Sequence, residues 1–111
     1  MPTIVERPEA SDAAAPAVAV LIDLHVKRES VEAVKMALQT GLPDILGFDG
    51  CLDATLHVNQ DDDLNLLFVE HWASREHFER YRAWRAERGD HTHLVPMLAA
   101  PLAVKFFDVL R

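Results

Sequence analysis

The chain has 111 residues, half of them hydrophobic, which suits a single domain with a core of its own. Its formal net charge is −7, and the basic residues from Arg75 to Arg88 alternate with Glu76, Glu79 and Glu87, so no basic face is offered to nucleic acid. No uninterrupted apolar run reaches the ~18 residues of a membrane span, and the lone cysteine, Cys51, excludes an intrachain disulfide.

Residues 1–16 are rich in Ala, Pro and acidic side chains without periodicity, and read as a flexible tail preceding one domain over 17–111. They lack the basic-then-apolar order of a signal peptide, so a cytoplasmic protein is expected. "AVAVLIDLHV", Ala17 to Val26, reads as a strand. Val18, Val20, Ile22, Leu24 and Val26 form one face; Ala19, Leu21, Asp23 and His25 form the other. Ser30 is the expected N-cap of a first helix, in which Val31, Val34, Leu38 and Leu42 make one buried stripe. Gly41 and Pro43 are expected to weaken or end it, and "GFDG", Gly47 to Gly50, is a turn.

"CLDATLHVN" alternates as a second strand, with Leu52, Ala54, Leu56 and Val58 facing inward. Gln60 to Asp63 form a hairpin tip, and "LNLLFVEHW", Leu64 to Trp72, is a third strand. Ser74 caps a second helix that Gly89 ends, with Phe78, Tyr81, Arg82 and Arg85 on one face and Trp84 beside it. Asp90 or Thr92 is a candidate cap for the next segment, a short helix is expected over Leu94 to Ala99, and Pro101 opens a last strand.

The order βαββαβ is the α+β, ferredoxin-like arrangement, an antiparallel four-stranded sheet with the first and third strands central. Two helices cover only one face of such a sheet. The other face, carrying Leu21 and one side each of the third and fourth strands, is apolar enough to call for a second copy. A twofold homodimer is expected.

"GFDGC", "LFVEHWASREHFERY" and "LAAPLAVKFFDVL" together resemble the antibiotic biosynthesis monooxygenase (ABM) family, over roughly 17–111. The most specific part is the strand ending in Glu-x-Trp, followed by a Ser-capped helix. The resemblance implies a dimeric α+β barrel, two ferredoxin-like sheets packed face to face. It implies oxidation of a small aromatic phenol, quinol or polyketide-like substrate by O2, with no cofactor and no metal. A non-catalytic ligand-binding or stress-related dimer of the same fold is the alternative. Haem degradation is a weaker implication. That branch is similar in placing a His where His91 stands, but its Trp is replaced here by Tyr81, and its first-strand asparagine has no match. Many other relatives carry a His at the place of Tyr81.

Cofactor-free oxygenation needs an apolar slot, a base for the substrate's proton, and hydrogen-bond donors for charge developing on oxygen. His25 or His91 is the candidate base, and Tyr81 a further catalytic candidate, its hydroxyl facing either a pocket or backbone. Trp72, Phe78, Trp84, Arg85, Asp23 and His71 are candidates for substrate binding. Trp72 also reads as a plain core anchor, and Asp23 with His25 as a hydrogen-bonded pair on a buried face. Trp72 and Glu70 share one strand face and His71 takes the other, and periodicity does not say which face meets the helices. "DHTH", Asp90 to His93, is a weak metal pattern for want of a third ligand, and no metal is expected. His77 is expected to be exposed.

Overall fold

A computed structural model describes residues 17–110; the tail expected over residues 1–16 lies outside the described residues. Strand β1 (Val18–His25) leads through a short turn of 3-10 helix to helix α1 (Val31–Leu46). Strands β2 (Cys51–Asn59) and β3 (Asp62–Trp72) form a hairpin. Helix α2 (Arg75–Glu87), the short helix α3 (Asp90–Leu94), a 3-10 turn (Val95–Met97) and strand β4 (Ala103–Asp108) complete the chain. The sheet is wholly antiparallel in the order β2-β3-β1-β4, so the two central strands are the two with the longest apolar runs. This is the α+β ferredoxin-like fold. Among the described residues no helix is long and apolar enough to cross a membrane.

The inward faces of β1 and β3 build the core. Val20, Leu24, Leu66, Phe68 and Trp72 are buried against Val34 and Ile45 of α1 and Phe78 and Tyr81 of α2. An aromatic cluster closes one end: Trp72 meets Phe78 and Tyr81 at ring-centroid distances of 5.8 and 5.3 Å, and Phe48 packs on Tyr81 at 5.4 Å. Edge-to-face and tilted geometries of this kind suit the ring quadrupoles.

Ser74 caps α2 as expected, its Oγ accepting from the His77 backbone N–H at 3.2 Å. Its hydroxyl also lies 2.7 Å from His77 Nδ1. That contact folds the imidazole against Gly50, so His77 is partly sheltered rather than exposed. Gly50 has φ +90°, and a Cβ there would collide with the His77 ring. Only glycine supplies both the backbone angle and the space.

Several local expectations are corrected. Ser30 occupies the N-cap position of α1, but its side chain makes no capping hydrogen bond, because a 3-10 turn over Arg28–Ser30 leads into the helix. Helix α1 runs past Gly41 and Pro43 to Leu46, since Ile45, 3 % exposed, extends the buried stripe and outweighs the missing proline N–H. An irregularity between Cys51 and Asp53 places Cys51 opposite Trp72, and Leu52 is left exposed instead of inward. Val58 is likewise exposed, on the edge strand near the hairpin tip. The expected helix over Leu94 to Ala99 begins earlier, at Asp90. Gly89, in the left-handed region, takes the cap position, so neither Asp90 nor Thr92 caps it.

Candidate functional site

Between the sheet and the helices lies a cavity of about 380 Å³. Ile22 and Leu24 of β1 and Phe68 of β3 form its floor, while Leu38 and Ile45 of α1 and Phe78 of α2 form its roof. Its mouth is framed by His91 and His93 of α3 and by Arg82 and Arg88 next to them. The lining is mainly apolar with a few convergent polar groups, the ordinary make-up of a small-molecule site.

Two of those polar groups are buried, Glu70 and Tyr81. Glu70 is 1 % exposed, the one charged residue in the buried set among the described residues. Strand alternation puts it inward because Phe68 and Trp72, two residues either side, are inward. Its Oε1 accepts from the Trp72 indole N–H at 2.8 Å. Burial pushes the Glu70 carboxyl above its usual range, and the Trp72 hydrogen bond and the Arg85 charge offset that only in part.

Tyr81 is held by Arg85, whose Nε donates to the phenol oxygen at 2.7 Å. Burial nevertheless pushes the Tyr81 pKa up to about 12, with Arg85 pulling the other way, so the side chain is a neutral phenol at ordinary pH. Its own O–H has no acceptor among the described residues, and it borders the cavity. Arg85 is only 14 % exposed. Its Nη1 donates to Asp90 at 2.9 Å and its Nη2 to the Gly41 carbonyl at 3.2 Å. A Cβ on Gly41 would sit 3.1 Å from Nη2, so a small residue there lets the guanidinium approach. Burial would raise the Asp90 pKa, but the hydrogen bond and charge of Arg85, helped by Arg88, hold the carboxyl below its usual range.

The sequence-predicted candidates divide by sheet face. Tyr81, Phe78, Arg85 and His91 all border the cavity. Trp72 does not: it is fully buried behind Glu70, and its N–H is engaged there rather than open to a ligand. Trp84 is half-buried outside the cavity, packed on Phe48 at 5.5 Å with Arg88 4.7 Å over its ring. Its position off the Phe78–Tyr81 stripe turns it away.

Asp23, His25 and His71 stand on the opposite, open face of the sheet, because they alternate with the buried Val20, Leu24 and Trp72. There Asp23 accepts from Asn65 Nδ2 at 2.5 Å and lies at ion-pair distance, 3.5 Å, from His25 Nε2, and neither residue borders the cavity. The same face carries Ala19 and Leu21 of β1, Leu67 and Val69 of β3, and Phe107 of β4.

Glu70 and His93 were not among the predicted site residues. Glu70 was findable, since it shares parity with the inward Phe68 and Trp72. His93 carried no separate signal, as it lies in a segment whose helix was expected to start later. Among the described residues no three His, Cys, Asp or Glu side chains gather as a metal-ligand group.

A protein-family model described as antibiotic biosynthesis monooxygenase matches residues 17–86. Among solved structures, protein Rv0793 of Mycobacterium tuberculosis is similar at 21 % identity and a TM-score of 0.78, over 86 % of this chain and 96 % of that one. Protein SO0527 of Shewanella oneidensis is similar at 22 % identity and a TM-score of 0.76, over 86 % of this chain and 93 % of that one. A structure described as an antibiotic biosynthesis monooxygenase is similar at 18 % identity and a TM-score of 0.77, over 85 % of this chain and 99 % of that one. At these identities the likeness is one of fold. No curated protein matches the chain.

Proposed function

The chain belongs to the antibiotic biosynthesis monooxygenase family, and from that premise we propose that it oxidises a small phenolic, quinol or polyketide-like aromatic with O2, without a separate cofactor. The observation that carries this reading is the cavity itself, an apolar slot of about 380 Å³ bordered by a neutral phenol, Tyr81, whose O–H has no acceptor among the described residues. A planar aromatic suits the aliphatic and aromatic walls. The same walls keep water from a reactive oxygenated intermediate. Tyr81, fixed by Arg85, donates to negative charge that develops on oxygen. The substrate's proton goes to a group bordering the cavity, either His91 at the mouth or Glu70 in the wall.

For a substrate with an activated methylene between rings, the balanced reaction turns the methylene and one O2 into a ketone and one water. Loss of the first proton makes the ring system an electron donor to O2, a C–O bond forms, and the hydroperoxide loses water. The protein acts as a cytoplasmic homodimer on this reading, with a second copy covering the open sheet face that bears Leu21, Val69 and Phe107.

The test is aerobic and anaerobic incubation with naphthols, anthrones and quinols, followed by product analysis. Oxidised product that forms only with O2 supports the reading. Binding of these compounds with no oxygen-dependent product in any case rejects oxygenation and leaves a ligand-binding dimer.

A further inference from the structure

Glu70 is an unusual wall residue for a slot otherwise suited to hydrocarbon rings. It is 1 % exposed, and only one of its two carboxyl oxygens is satisfied. Oε1 takes the Trp72 N–H at 2.8 Å, while Oε2 has no hydrogen-bond partner among the described residues. No cation lies within ion-pair distance of it there; Arg85 is engaged instead with Asp90. A buried carboxyl oxygen without a partner costs free energy unless something satisfies it. Holding Trp72 does not require a carboxylate either, because an amide oxygen accepts an indole N–H equally well. What the carboxylate adds is a second acceptor in the cavity wall.

We propose that Glu70 is the catalytic residue that binds the substrate's hydroxyl and receives its proton, with Oε2 as the accepting atom. This rests on the reading that the cavity takes a hydroxylated aromatic. The ligand O–H donates to Oε2; the O–H bond then breaks, the proton passes to Oε2, and the electron pair stays on the ring oxygen. A carboxylate and a phenol thereby become a carboxylic acid and a phenolate. Burial disfavours the charged form of Glu70, and a dry carboxylate is a stronger base than a hydrated one. Tyr81 supplies the complementary donor from the same cavity, through the O–H that Arg85 leaves free. His91 lies at the mouth, partly open to solvent, where a hydroxyl group already finds water as an acceptor.

The experiment compares 2-naphthol with 2-methoxynaphthalene, which has the same rings and no hydroxyl proton. Both are titrated calorimetrically, without O2, into the wild-type protein and into Glu70→Gln. In Glu70→Gln an amide oxygen keeps the Trp72 bond while the second position changes from acceptor to donor. Circular dichroism checks that the fold is retained. The wild type is expected to prefer the naphthol by about tenfold, the scale of one hydrogen bond to a charged group. Glu70→Gln is expected to lose that preference. A purely structural Glu70 would leave the preference as it was.

Equal binding of the two ligands by the wild type overturns the proposal, as does a preference that survives in Glu70→Gln or a failure of both ligands to bind. The preference is read without turnover, so its presence together with absent oxygen chemistry rejects the proposed oxidation but not the Glu70 site. Oxygen-dependent product without the preference rejects the Glu70 site but not the oxidation.

Discussion

The Arg85 guanidinium and the Tyr81 hydroxyl, one helical turn apart on α2, are joined by a 2.7 Å hydrogen bond in which arginine is the donor. That direction leaves the phenol's own proton for the cavity. The same guanidinium reaches Asp90 at the start of α3 and the Gly41 carbonyl in α1, so one side chain ties three helices around the mouth. Arg85→Ala is expected to destabilise the fold by roughly 2–4 kcal/mol, through three lost hydrogen bonds and an Asp90 carboxylate left without its closest partner. Arg85→Lys recovers only part of this, because an ammonium lacks the planar fork. Urea unfolding of both variants checks it, and a wild-type midpoint in Arg85→Ala would contradict it.

Glu70 and Tyr81 both have folded-state pKa values raised above their ordinary ones. A raised pKa means that the folded state favours the protonated form. The associated stability is therefore fully present below the unfolded pKa and is lost as pH rises through the folded value. For Glu70 the loss begins above the ordinary carboxylate value of 4.5; for Tyr81 it falls between pH 10 and about 12. Glu70→Gln cannot ionise, so its stability should rise relative to the wild type as pH increases from about 4 toward neutrality. Thermal melts of the two proteins across that range measure the difference, and parallel curves would reject a raised Glu70 pKa.

Gly50 and Gly89 both have positive φ, 90° and 80°, but differ in their surroundings. An added Cβ at Gly50 collides with the His77 ring, whereas at Gly89 nothing lies within 4 Å. Gly89→Ala should cost about 1–2 kcal/mol, the backbone penalty alone. Gly50→Ala carries that penalty plus the displacement of His77 from Ser74, and should be the more destabilised by at least ~1 kcal/mol. Equal unfolding midpoints would show that His77 moves aside without cost.

The open sheet face yields a prediction about assembly. Leu21 and Val69 are directly paired across β1 and β3, with Ala19 and Phe107 nearby. A charge placed at their centre, as in Val69→Glu, should convert the expected dimer to monomer and leave the helix-side core intact. Sedimentation velocity with circular dichroism reads both properties. A wild-type monomer, or a variant dimer of unchanged affinity, would contradict the assignment of this face.

Which parts were legible in the sequence follows from periodicity. Alternation in β1 and β3 and the Phe78–Tyr81 stripe of α2 mark the element order and which residues share a face. Ser74 and Gly89 mark helix limits that the structure retains. Polar residues on central strands were harder to place. Asp23, His25 and His71 have the residue types of a catalytic site, yet parity sends them to the open face, and only the packing of the helices shows which face that is. The same ambiguity covers Glu70, which takes the face opposite His71, and the packing of the helices turns it toward the cavity. The irregularity at Leu52 and the continuation of α1 through Pro43 depend on packing partners distant in sequence, which local pattern does not reveal.

Oxygen uptake with an anthrone as substrate, measured for the wild type and for Tyr81→Phe, separates oxygenation from mere binding. The wild type should consume one O2 for each ketone formed. Tyr81→Phe, which keeps the ring but removes the free O–H, should lower kcat by about 10²-fold, the scale of one lost donor to developing negative charge. No oxygen uptake above buffer by the wild type, with the anthrone or any phenol or quinol of the panel, would contradict the account.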